Sequence, residues 1–258
     1  MIFSILPMNP SMEMIPIPIG QMRAGLRYET DKTFYTKHFT VMQKALFTFL
    51  LFVVVITSQS YAQRLVSDAK IVYNMQSAGQ TGTESGIPAG TLTQYMKGHQ
   101  SRVDIDFTEV HISYLINSKD ESVVTLINSH GDKYLTRAGK EEYEKELKLY
   151  ATAQFKDGNE TKKIAGYNCR KATAKLSDGT TFEVYYTTDL IPENKQYNRR
   201  FVNLKGIPLQ FEILNKNGGK MTMVAVSVDL NAVPGSYFDV PKAGYKEISR
   251  EELAKMGS

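Results

Sequence analysis

The chain has 258 residues, with 31 Lys and Arg against 27 Asp and Glu, a single cysteine and no tryptophan. A formal net charge of +4 without a clustered basic face argues against a nucleic-acid partner, and the lone Cys169 excludes a fold stapled by internal disulfides. With 42% hydrophobic residues, the chain must be held by a packed core and backbone ladders.

Residues 1–41 open with the proline-punctuated run Ile15-Pro16-Ile17-Pro18-Ile19 and keep neither helical nor strand spacing. They read as an upstream extension, with the natural start at Met42. Residues 42–62 then have the order of a secretory signal peptide: Lys44 supplies a positive start, Ala45 to Thr57 is an uncharged apolar run, and Ser60-Tyr61-Ala62 offers small residues for cleavage between Ala62 and Gln63. The apolar run falls short of the about 20 residues that a membrane-spanning helix needs. The residue after the cleavage point is Gln63, not a cysteine that could carry an acyl anchor. The mature product, residues 63–258, is therefore expected to be a single β-rich domain, periplasmic or secreted, with no stable membrane anchor.

Strands are predicted at about Leu65 to Met75 and Thr91 to Lys97, separated by the glycine-rich stretch Ser77 to Gly90. That stretch lacks the Gly-Lys-Ser/Thr ending of a phosphate loop and reads as a hairpin tip or flap beside a binding site. From Arg102 to Phe107, Val103, Ile105 and Phe107 alternate with Arg102, Asp104 and Asp106, which places the charged set on a solvated face. Val110, Ile112, Tyr114 and Ile116 continue the alternation after a turn at Thr108-Glu109. Ser122 to Asn128 and Lys133 to Arg137 follow, with His130 in the turn between them. Gly139 to Tyr150 breaks the pattern, because Tyr143, Leu147 and Tyr150 make one apolar stripe on a charged helix that docks on the sheet.

Asn168 to Leu176 and Thr180 to Thr187 flank Asp178-Gly179, a strong hairpin signal because both residues tolerate positive φ. Pro208 to Leu214 and Lys220 to Leu230 flank a second turn, Asn215 to Gly219, and a short helix is expected at Arg250 to Met256. About ten short strands with polar turns indicate an antiparallel barrel, half-barrel or sandwich.

Catalytic signatures are missing. His99, His111 and His130 have no metal-ligand spacing, there is no Gly-x-Ser-x-Gly elbow, and Cys169 in a strand-like segment reads as a small buried hydrophobe. Asp104, Asp106, Glu109 and His111 form the densest acidic group beside a histidine, yet alternation spreads them over a surface and demonstrates no convergence. No cofactor, metal or catalytic residue is expected.

Lys163 to Ala172 (KIAGYNCRKA) followed by Gly179 to Thr187 (GTTFEVYYT) resembles the central motif of secreted Bacteroidota proteins of unknown function: the GLPGLI family and a relative carrying a domain of unknown function. Leu204 to Ile213 stands where the GLPGLI signature would be but has Leu209-Gln210 in place of Gly-Leu, so the relative is the closer match. Val233 to Lys246 is similar to the ending of LolA and LolB-like periplasmic lipoprotein carriers. That resemblance implies a mainly β fold, an open antiparallel half-barrel of about ten strands with one docked helix, whose concave face accommodates acyl chains.

Strand parity aims Val110, Ile112 and Tyr114, Phe182, Val184 and Tyr186, and Leu209, Phe211 and Ile213 at one face, with Met221 and Met223 beside them. Tyr114, Phe182, Val184, Tyr186, Phe211, Ile213, Met221 and Met223 are the candidate ligand-binding residues. The partner is expected to be a hydrophobic small molecule or acyl chain, or an envelope protein, and the protein a non-catalytic binding module. Two alternatives stay open: an envelope interaction protein whose concave face is filled by its own side chains, and a hydrolase with a dispersed site.

Overall fold

A computed structural model of the chain describes residues 43–44, 63–77, 90–214 and 220–256. The upstream extension 1–41, the signal-like segment 42–62 apart from Gln43 and Lys44, the loop after Ser77 and the turn Asn215 to Gly219 lie outside the described residues. Residues from Tyr61 onward form one compact unit.

The N-terminal meander runs through β2 (Asp68–Ser77), β3 (Thr91–Lys97), β4 (Gln100–Asp106), β5 (Val110–Asn117), β6 (Ser122–Ser129) and β7 (Asp132–Ala138), each hydrogen-bonded to the next. Helix α1 (Lys140–Ala151) leads to the second meander, β8 (Gln154–Ile164), β9 (Tyr167–Lys175), β10 (Thr181–Thr187), β12 (Ile207–Leu214) and β13 (Lys220–Asp229). Antiparallel pairing of β13 with β2 fuses the two, among the described residues, into one sheet of twelve strands whose ends are β8 and the short β14 (Lys246–Glu247), parallel to β7. The sheet is open and does not close into a barrel. β1 (Arg64–Val66) and β11 (Leu190–Pro192) make a separate parallel pair, and helix α2 (Arg250–Met256) ends the described chain. Among the described residues, no helix is long and apolar enough to cross a membrane.

Local chemistry explains the tight connections. His130 (φ 54°) and Gly131 (φ 93°) both take positive φ between paired Ser129 and Asp132, the backbone twist that suits a two-residue hairpin. Pro208, which has no N–H to give a ladder, sits where the register between β10 and β12 slips. In α1, the Glu142 carboxylate accepts the Gly139 N–H at 3.0 Å, satisfying a donor that the helix start leaves over.

Two parts of the fold depart from the sequence expectations. β8 is an edge strand exposed along most of its length, so no buried face imposes alternation on QFKDGNETKKI. Arg102 and Asp104 do not face open solvent. The tail after β13 crosses that side of the first meander, with Val233 and Phe238 against Tyr95 and Val240 and Tyr245 against Leu115 and Leu126. Arg102 fastens it, bonding Asp104 at 2.7 Å, the Tyr237 carbonyl at 2.8 Å and the Ser113 hydroxyl at 3.2 Å.

Candidate functional site

The opposite, concave side has a closed half and an open half. In the closed half, register pairs Val184 with Phe211 and Phe211 with Met223, so these side chains share one face. Two short 3-10 turns, Lys195–Tyr197 and Arg199–Phe201, fill the hollow over them. Asn194 and Asn198 hold those turns by accepting the N–H groups of Gln196 at 3.0 Å and Arg200 at 3.3 Å. Phe201 packs edge-on to Phe182 and Phe211, with ring centroids 6.3 and 5.0 Å away. The Ser101 hydroxyl ties the turns to the sheet by donating to the Tyr197 carbonyl at 2.7 Å.

Four of the candidate ligand residues are therefore core: Phe182, Val184, Phe211 and Met223 are at most 4% exposed. Tyr186 is also buried, and its hydroxyl donates to Asp157 at 2.7 Å. Ile213 and Met221 are half-buried at the border of this core, and Tyr114 lies apart from them, beside Ile116 and Tyr143. Cys169 is buried too, and burial pushes its thiol up to about 11, the behaviour of an inert thiol.

The open half is a row that parity alone did not separate from the core. Ile105 pairs with Ile112, Ile112 with Ile127, and Ile127 with Tyr134, an apolar line about 14 Å long across four strands at the usual strand spacing. All four are half-buried. Met75, Val103, Ile213 and Met221, also half-buried, border the filled half. Backbone groups along this row are spent in the ladders on either side, so the surface offers contact area and no free main-chain donors.

Acidic residues and histidines pair off instead of converging. His111 Nδ1 meets Asp106 at 2.6 Å and His130 Nε2 meets Glu109 at 2.8 Å, both at exposed strand ends, while Asp104 is held by Arg102. Among the described residues, no group of three or more His, Cys, Asp or Glu is placed to hold a metal.

Tyrosines give the domain a pH limit. Burial first, and then the carboxylates of Glu160 and Asp157 that accept their hydrogen bonds, push Tyr185 and Tyr186 up to about 12 from 10.0; Lys162 lies 3.7 Å over the Tyr185 ring. A phenol so raised keeps its proton in the folded protein after the unfolded chain has lost it. Its contribution is intact below pH 10 and is lost as pH climbs towards 12. Urea titrations across that window should show stability falling with pH, with tyrosinate absorbance appearing together with unfolding; free ionisation of these tyrosines in the folded state would contradict it.

No known family profile matches the chain, and no curated protein matches it. Among solved structures, PNGF-II in a C2 crystal form is 21% identical, over 73% of this chain and 32% of its own, with a TM-score of 0.44. MucB is 10% identical over 68% of this chain and 58% of its own, with a TM-score of 0.35. A LolA superfamily protein from Nitrosomonas europaea is 9% identical over 69% of this chain and 92% of its own, with a TM-score of 0.30. The chain thus spans about a third of PNGF-II and less than two thirds of MucB. At these identities and scores the likenesses carry no argument about function, which rests on this chain's own residues.

Proposed function

We propose that the protein is an exported, non-catalytic binding module of the cell envelope that holds an acyl chain or similar hydrophobic ligand against Ile105, Ile112, Ile127 and Tyr134. The observation that carries this reading is the half-exposed apolar row beside a sealed core. An extended peptide laid there would leave its own N–H and C=O groups without partners, at a cost that an aliphatic chain does not incur. Met75 and Met221 at the border supply side chains that adapt to an irregular ligand. The signal-like order of residues 42–62 supplies the compartment.

The test is native mass spectrometry and organic extraction of protein purified from a periplasmic extract, with binding of a fluorescent fatty acid measured in parallel. Bound lipid and saturable probe binding are expected. Ile112→Asp and Ile127→Asp should each weaken the probe at least about tenfold, the order expected when a buried apolar contact worth 1.5–3 kcal/mol is replaced by a charge. Their stability should fall by only about 1 kcal/mol, because neither residue is fully buried. A bare mass and unchanged probe affinity in both variants would remove the reading.

The solid closed half favours a second reading, an envelope interaction protein with a filled core. On that reading the purified protein carries no lipid and the probe does not bind, while a partner protein docks on the outer surface.

A further inference from the structure

A second site lies where the open half meets α1. Tyr114, Thr125 and Thr136 are register neighbours on β5, β6 and β7. With Tyr143 and Glu146 of α1, Arg199 of the second 3-10 turn and Arg250 of α2, they enclose a chamber of about 60 Å³. Glu142 lines it too, but its carboxylate is turned to the Gly139 N–H.

The chamber's hydrogen-bond balance is uneven. Glu146 is shared by two guanidiniums, Arg199 at 2.6 Å and Arg250 at 3.4 Å, so this triad is left one positive charge over, which the Glu142 carboxylate on the same lining balances. Arg199 also stacks on Tyr143, its guanidinium carbon 4.7 Å from the ring centroid, which fixes its direction. Its Nη1 is nevertheless buried without a hydrogen-bond partner among the described residues, and so is the hydroxyl of Thr136, a residue only 4% exposed. Leaving such groups unpaired costs about 1–3 kcal/mol each, more for a charged one. Burial and the neighbouring Glu146 hold the Tyr114 phenol above its ordinary range, so it too enters as a proton donor. Arg199 Nη1 can only donate, while the Thr136 and Tyr114 hydroxyls can donate or accept, so an acceptor seated among them can satisfy all three at once.

We infer that this chamber is a binding site for a small monovalent anion, contacted by Arg199 Nη1 and the Thr136 hydroxyl. Its volume is several times the about 10–15 Å³ that one water-sized group needs, room for a halide ion or one carboxylate, whereas the four oxygens of a sulfate would outnumber the donors that face them. Thr136, Glu142 and Arg250 also line an open cleft of about 430 Å³ with Arg137, Glu247, Glu251 and Glu252. This site is independent of the hydrophobic row.

The test is thermal unfolding of the whole mature protein in sodium chloride, formate or sulfate at one ionic strength, with bromide-soaked crystals for anomalous scattering. Chloride or formate should raise the midpoint saturably where sulfate does not, and bromide should appear beside Arg199 Nη1. Chloride acting alone identifies a free ion; formate displacing bromide identifies the carboxylate of a larger ligand. The near-isosteric Thr136→Val should fold and bind the anion about tenfold more weakly, the loss expected for one charge-assisted hydrogen bond, while Arg199→Gln should abolish the response. Equal responses to all three salts in wild type and Thr136→Val, or a bromide map without a peak in the chamber, would overturn the inference.

Discussion

Gly206→Ala is expected to prevent folding or to leave the protein destabilised by more than about 4 kcal/mol, a loss comparable to the whole stability of many domains. A Cβ on residue 206 would stand 1.9 Å from the Thr187 carbonyl oxygen and 2.9 Å from its carbonyl carbon. Both are backbone atoms, so no side chain can swing aside. Thr187 is itself fully buried and pairs with Ile207 at the start of the β10–β12 ladder. Making room would mean parting two paired interior strands. Gly98→Ala is the control: Gly98 has φ +53° with nothing within 4 Å of an added Cβ, so only the left-handed backbone is penalised, by about 1–2 kcal/mol. Soluble yield and urea midpoints separate the two, and equal midpoints would show that the close approach at Gly206 is not a constraint.

Gly206 lies just before Ile207 at the start of β12, and the geometry gives that glycine a physical role that no local pattern announces. What was legible in the sequence was whatever one buried face imposes. Thr91 to Lys97 and Arg250 to Met256 match β3 and α2 residue for residue, and the Asp178-Gly179 hairpin forms with Gly179 at φ 87°. Pattern failed where no face is buried, as in β8. It failed again at Leu190 to Gly206, where Tyr197 and Phe201 are set among Asn, Lys and Arg with no period, yet fill the half-barrel.

The same limit applies to the sites. Parity sorts side chains between the two sides of a sheet but is blind to what lies over each part of a side, so Phe211 and Ile112 look alike in sequence while one is core and the other is half-exposed. Thr136, Glu146, Arg199 and Arg250 come from a strand, a helix, a 3-10 turn and a second helix. Nothing in sequence links them. Arg199 reads as a solvated charge until Tyr143 and Glu146 are seen to enclose it.

Phe201→Ala should cost about 3–5 kcal/mol in urea unfolding, the range for truncating a buried aromatic, because the surrounding side chains collapse only partly into the space. Phe201 is 2% exposed and bridges the rings of Phe182 and Phe211, while Asn198 and the Ser101–Tyr197 hydrogen bond keep the turn around it in place. Apolar cavities made this way stay dry and take up small hydrocarbons, so benzene should raise the thermal midpoint of the variant and leave that of the wild type unchanged. The variant also locates the ligand. If the open row is the site, the fatty-acid probe should bind wild type and Phe201→Ala with the same affinity. Tighter binding by the variant would mean that Phe201 occupies the place a ligand seeks, which would move the site from Ile112 and Ile127 to the closed half, among Phe182, Val184, Phe211 and Met223.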